Sequence, residues 1–357
     1  MAWSGLFATT INDYVRQEIV GTVMRKKLFL KGLQDNGRIS YDGHGTAYTW
    51  PFRFRRNSLT PISDGDTNTF TQINKRKQAS IPMRALVVTQ ALNIFNKLQN
   101  QGESALVKLW SNIVKELLDD ARYQFNAKLL NIDGNAASTN TDIHGMASLF
   151  NNSGVNTANN KTYATNGTYA GVSQTLGVFG GSNTGGTWPD GQADPQYDAW
   201  TPMVISATAS GWNSTTKTFA ANSIEQLRYG IVNTERDGYT PDIVILAKNY
   251  FQQHLLNLDS KERGNVVKGS GDTKVATGFG FGAETFQEGV RVTWDYDMPA
   301  STGYFVCWDE LELKSWQQQL LVANTDWDIE TMTDRVLLLF AGNLIAELPR
   351  CQSKIMD

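Results

Sequence analysis

Tyr48-Thr49-Trp50-Pro51-Phe52-Arg53-Phe54-Arg55-Arg56 decides how the rest of the chain must be arranged. Tyr48, Trp50, Phe52 and Phe54 recur at every second position, the period of a strand with one apolar face. Arg53 and Arg55 fall on the opposite face. The run from Pro61 to Asn68, Pro-Ile-Ser-Asp-Gly-Asp-Thr-Asn, has the composition of a turn. A second extended leg follows through Phe70, Gln72 and Asn74 to Lys75-Arg76-Lys77. The two legs read as one hairpin over residues 38–84. Each has about 20 residues, which at about 3.3 Å per residue reaches some 60 Å. A free two-stranded ribbon is marginal in water, so this one must lie on something. Two supports are open: the chain's own sheet, or a neighbouring molecule reached by overshooting its own domain.

The strongest helical signal follows the ribbon. Over residues 102–131, Leu106, Trp110, Ile113, Leu117, Ala121 and Phe125 recur at three- and four-residue steps. Glu116, Asp119 and Asp120 occupy polar positions on it. No Pro or internal Gly interrupts the run, and Gly134 lies just beyond its end. About 30 residues make a rod of about 45 Å, long enough to act as a structural axis. Before the ribbon, Ile11, Val15, Ile19 and Val23 give an amphipathic helix over 10–31, with Gly32 near its end. Such a helix is either an ordinary surface element or an arm lying on a neighbour. The β-branched cluster after Arg84 favours a strand.

Residues 150–200 are poor in charge and rich in Gly, Asn, Thr and Ser. They also hold Tyr163, Tyr169, Phe179, Trp188 and Trp200, too many aromatics for a plain linker. Next comes an αβα pattern over 222–258, in which Ser223 is a candidate cap and Ile243–Ala247 a buried strand. Strands are expected over 290–294, 304–308 and 311–314. Val336–Phe340 and Leu344–Leu348 are expected as two more.

The 357 residues carry 32 Lys+Arg and 35 Asp+Glu, a net of −3 that conceals an asymmetry. Residues 1–84 hold 13 basic and 6 acidic groups, a net of +7, and the remainder is −10. A basic segment on an acidic body allows attraction between parts of one chain or between copies. The hairpin's Arg53, Arg55, Arg56, Lys75, Arg76 and Lys77, interleaved with Trp50, Phe52 and Phe54, also admit nucleic-acid binding. The acidic body and a pI near 5.7 argue against a dedicated DNA reader.

No catalytic constellation is present. His44, His144 and His254 are scattered, and metal-ligand, P-loop and nucleophile-elbow motifs are missing. Gly278–Gly282 is glycine-rich but lacks the flanking strand and the terminal Lys-Ser/Thr of a phosphate loop. Asp326, Asp328, Glu330 and Asp334 read as a solvated acidic turn. Cys307 and Cys351 cannot make a disulfide framework, and Cys307 reads as core. The sequence therefore points to no enzyme, no cofactor and no metal, and shows neither an apolar run of membrane-span length nor a secretion signal.

The order of segments resembles the major capsid proteins of tailed bacteriophages, the Hong Kong 97-like fold. Asn100-Gln-Gly-Glu-Ser104 leads into the long helix, which ends near Leu130-Asn-Ile-Asp-Gly134 and is followed by Asp142-Ile-His-Gly-Met-Ala-Ser-Leu149. Gly238-Tyr-Thr-Pro-Asp-Ile-Val-Ile-Leu246, then Tyr250, looks like the family's strand–helix step. Val290–Pro299 with Gly303–Val306 and Leu311–Leu313 looks like its late strands, and Asn343–Arg350 like its closing strand. The resemblance implies an α+β chain with five parts. These are an N-terminal arm (1–37), a β-hairpin extended loop (38–84), a peripheral domain with a spine helix at 102–131 (85–150 and 315–335), an excursion (151–199), and an axial α/β domain (200–314 and 336–357).

It also implies a role: self-assembly through hexamers and pentamers into an icosahedral shell around double-stranded DNA, in a bacterial host's cytoplasm. Scaffolding, portal and decoration proteins are possible partners, and the DNA would meet the inner face without sequence-specific binding. The extended loop would cross an adjacent subunit. The contact residues expected are Arg53, Arg55, Arg56, Lys75, Arg76, Lys77, Trp50, Phe52 and Phe54 on the loop, facing Glu116, Asp119 and Asp120 on the spine. Some relatives cross-link this loop through lysine; here Lys75 and Lys77 are expected to stay unlinked.

Overall fold

The fold is described, from a computed structural model, for residues 27–93, 103–136, 141–150, 158–179, 199–261 and 284–357, apart from positions 56–60, 66, 68–69, 71, 73, 166, 237, 319 and 329. The amphipathic pattern at 10–23, Arg56 and Gly278–Gly282 lie outside the described residues.

Helix α1 spans Leu28–Asp35 and buries Phe29, Leu30 and Leu33. It does not stop at Gly32, as its composition suggests. Gly32 is inside the helix because the Trp308 ring lies where a Cβ would stand. The stop is Gly37, whose φ of 65° suits glycine. There Gly37 N–H donates to Gln34 O and Arg38 N–H to Leu33 O.

Strand β1 (Ile39–Ser40) precedes the ribbon strands β2 (Ala47–Arg53) and β3 (Arg76–Pro82). Strand β4 (Arg84–Asn93) leads toward helix α2 (Glu103–Asn131), the expected axis. A single turn, α3 (Ala147–Phe150), follows. Then come short strands β5 (Lys161–Tyr163), β6 (Thr168–Tyr169) and β7 (Val172–Ser173), before β8 (Met203–Ser206). The αβα unit is α4 (Phe219–Thr234), β9 (Ile243–Leu246) and α5 (Lys248–Lys261). Ser223 is not its cap. It is buried inside α4, where its Oγ accepts from Asn257 Nδ2 at 3.0 Å and sits 3.2 Å from His254 Nδ1.

The remaining strands are β10 (Glu284–Gln287), β11 (Val290–Trp294), β12 (Thr302–Val306), β13 (Leu311–Ser315), β14 (Val322–Asp328), β15 (Thr333–Ala346) and β16 (Ser353–Met356). Where two strands were expected at 336–348, β15 is one strand of 14 residues. Its first part pairs on one side with β4, from Thr333↔Asn93 to Gly342↔Arg84, and on the other with β14. Its last part pairs with β13. A domain boundary between 335 and 336 would cut through this strand, and one at 314/315 through β13.

Two sheets result. One contains β1, β13, β15, β14 and β4; the other runs β10-β11-β9-β12-β16-β8-β5. The excursion is partly absorbed into the second, since β5 forms its edge beside β8. On the first sheet, Val336, Leu338 and Phe340 face α2, with the Phe340 and Phe125 rings edge-to-face at 4.7 Å. On the second, Val244, Leu246, Val292 and Phe305 face α4 and α5, while Ile243, Ile245, Tyr304 and Val306 face the α2 lobe. Tyr304 joins the two lobes. Its ring stacks on Phe150 at 5.7 Å and its hydroxyl donates to Leu130 O at 3.2 Å.

None of the described helices is long and apolar enough to cross a membrane. Gly32→Ala tests the α1 packing. Alanine normally favours a helix by about 1 kcal/mol over glycine. Here the added methyl meets Trp308, so denaturant unfolding should show a loss of roughly 1–3 kcal/mol, and a gain would refute the close approach.

Candidate inter-subunit surface

The ribbon is a seven-rung antiparallel ladder from Ala47↔Pro82 to Arg53↔Arg76. Its apolar face is not spent on a neighbour. Trp50, Phe52 and Phe54 are buried in this chain's own core. Phe52 stacks on Trp200 at 4.1 Å, Phe54 meets Phe179 at 4.7 Å, and Trp50 Nε1 donates to Glu347 O at 3.2 Å. These three residues are therefore removed from the expected neighbour contacts. Their receptor is built from aromatics whose purpose the sequence left open: Tyr169, Phe179 and Trp200 wall the site, and Tyr169 Oη accepts from Ala346 N–H.

The basic set divides in two. Arg55 turns inward, a guanidinium nitrogen donating to Phe179 O at 2.8 Å, and Lys77 Nζ lies 4.4 Å from the centre of the Phe179 ring. Lys75 is half-buried beside Phe54, whose N–H donates to Lys75 O. Arg53 and Arg76 remain on the outer face as directly opposed, exposed residues. Like charges across a ladder rung disfavour pairing, so this rung is better satisfied by an anionic surface than by water. The sequence cannot show this, because opposition depends on the register between two legs separated by a turn.

The connecting stretch adds Phe70, 95% exposed, and Ile62, 63% exposed. On α2, Glu116, Asp119 and Asp120 lie on the exposed side, away from buried Leu117, Leu118 and Ala121. The structure thus presents outward cations on the ribbon and outward carboxylates on the long helix.

Among the described residues, the titratable groups elsewhere are tied into local contacts. Burial holds the His254 imidazole down to about 4, and burial followed by the nearby Arg84 charge does the same for His144. His144 N–H donates to Asn343 Oδ1 at 2.6 Å. Burial, then the Asp242 charge, pushes the Cys307 thiol up to about 11, which leaves little thiolate at neutral pH. Cys307 is locked in place by Gln352, whose amide accepts from its N–H and donates to its carbonyl. Among the described residues, no three His, Cys, Asp or Glu are grouped to hold a metal ion. The acidic run near 326–334 sits at the β14–β15 turn, where Asp328 pairs with Arg335.

No known family profile matches the chain, and no curated protein matches it. Solved structures do. The capsid asymmetric unit of Cyanophage A-1(L) contains a chain similar over 87% of this one and 88% of its own length, with a TM-score of 0.58 and 16% identity. This chain has the Hong Kong 97-like capsid fold. A capsid chain of a native GTA particle is similar over 91% of this chain and 89% of its own, with a TM-score of 0.56 and 10% identity. The capsid fold is thus preserved at an identity where few side chains correspond, so the contact residues must be argued from this chain alone.

Two measurements check these assignments. Phe52→Ala should destabilise the isolated subunit by about 3–5 kcal/mol, as expected for a buried aromatic; a ring serving only a neighbour would leave subunit stability unchanged. For the histidines, a pKa below the ordinary 6.5 means that the folded state disfavours the proton. Their contribution is complete above pH 6.5 and is lost as pH falls toward 4, at up to about 1.4 kcal/mol per pH unit per group. The urea midpoint should fall across that window, and His254→Gln should flatten the fall.

Proposed function

We propose that this chain is the major capsid protein of a tailed bacteriophage, assembling through hexamers and pentamers into an icosahedral shell that encloses double-stranded DNA. The role is structural rather than catalytic. The observation that carries the reading is the capsid fold over nearly the whole length of both compared chains, for two separate particles. The ribbon supports it. Its base is fixed in its own subunit, while Arg53, Arg76 and Phe70 project without shelter.

In this reading residues 38–84 are the extended loop and α2 is the spine. The sheet containing β15 belongs to the peripheral domain, and the seven-stranded sheet to the axial domain. The Arg53–Arg76 rung of one subunit faces carboxylates of the next, with Glu116, Asp119 and Asp120 as its partners. Each exposed pair contributes only about 0–1 kcal/mol, but a closed shell repeats the contact at every subunit boundary. DNA would meet the inner face without sequence readout, and portal and scaffolding proteins would be separate chains.

Negative-stain microscopy of the purified protein should show shells, or capsomers and sheets. Arg53→Glu with Arg76→Glu should reduce their yield at low salt, and Glu116→Lys with Asp119→Lys in the same chain should restore part of it. Uniform monomers from the wild-type protein under all assembly conditions would overturn the reading. Full assembly by the charge-reversed ribbon would overturn its electrostatic part alone.

A further inference from the structure

Just before α1, a lysine enters a polar site between the two lobes. Lys27 is 9% exposed. Its Nζ donates to Asp297 Oδ2 at 2.6 Å and lies 4.2 Å from the centre of the Tyr123 ring on α2. The same Asp297 oxygen accepts from Asn126 Nδ2 at 2.6 Å, and that amide also reaches both oxygens of Asp295 at 3.3 and 3.4 Å. Asp297 N–H donates to Asp295 Oδ1 at 2.9 Å, and Asn131 Nδ2 donates to Asp297 O at 2.7 Å. Asp295 and Asp297 sit on the turn between β11 and β12 of one lobe; Tyr123, Asn126 and Asn131 belong to α2 of the other. Asn126 is fully buried and Asp295 nearly so.

Two carboxylates and one ammonium therefore meet in a site largely closed to water. A buried carboxylate is tolerated only when a partner offsets its lost hydration. Burial already pushes the Asp295 carboxyl above its ordinary range, with Lys27 among the groups that draw it back down. Lys27 also differs from a surface pair such as Arg228–Glu288, whose side chains are both well exposed.

We propose that Lys27 is a latch. By binding the 295–297 turn against α2, its ammonium holds the two lobes in register. It is a positioning residue, and the mechanism requires only that a cation occupy this site. The inference is made of the single subunit and stands whether or not the chain assembles.

The test is hydrogen exchange of the full chain, read in peptides covering 119–131 and 290–300. Lys27→Met should speed exchange in both peptides by roughly tenfold or more, as the buried carboxylates lose their counter-charge. Lys27→Arg, which keeps the charge, should stay nearer wild type. Glu288→Gln, which breaks the exposed pair, should change neither peptide. If Lys27→Met fails to fold, Asp297→Asn should show the same two changes in milder form, because the amide oxygen can still accept from the ammonium and the Asp295 charge remains. Wild-type exchange in Lys27→Met, or equal acceleration in Glu288→Gln, would overturn the latch.

Discussion

The apolar side of α2, from Val114 to Leu130, must be kept from water along about 25 Å of helix, and the two sheets share that cover. Val336, Leu338 and Phe340 of β15 take the middle of the helix, while Phe150 and Tyr304 close on its C-terminal end. Much of the topology follows from this demand. β15 is long because it serves the helix and also accepts β4 along its first ten residues, β14 along its first seven and β13 along its last five. The chain returns to the seven-stranded sheet only at β16, after this duty is complete. Removing the helix would leave each sheet with an apolar face open to solvent.

The long helix and the αβα unit were legible from sequence because local periodicity sets them, and the strand after Arg84 because of its β-branched cluster. The misreadings have one physical origin: a residue type that has a local meaning in most chains was here chosen by a distant contact. Gly32 looks like a helix stop and is room for an indole. Ser223 looks like a cap and is a buried acceptor between two helices. The break near Ala341-Gly342 looks like a gap between strands. Gly342 instead lets β15 pass close beside Lys314 O, where a Cβ would not fit. Each choice is fixed by a partner far along the chain, which one-dimensional spacing does not encode.

The candidate surface was half legible. Alternation correctly separated the ribbon's aromatic face from its Arg53 face. It could not tell which of the two would be kept at home, because that depends on the rings at 169, 179 and 200 being gathered into one receptor. The aromatic face turned inward and took Arg55 and Lys77 with it, leaving a smaller outward cationic set than the sequence suggests. The ion cluster at Lys27 was illegible for a related reason. Its lysine stands in a basic triplet and its aspartates in an unremarkable Asp-Tyr-Asp turn some 270 residues away.

The ribbon's fixed base gives it the mechanics of a cantilever. Rings packed in a close-packed core resist displacement, so the Trp50–Phe54 stretch is the ribbon's stiff root. A sideways load on the tip becomes a bending moment at that root. It passes through Trp200 and Tyr169 to the end of β15, since the Tyr169 hydroxyl holds the amide of Ala346. A load on the ribbon is thus delivered to the strand that covers the long helix.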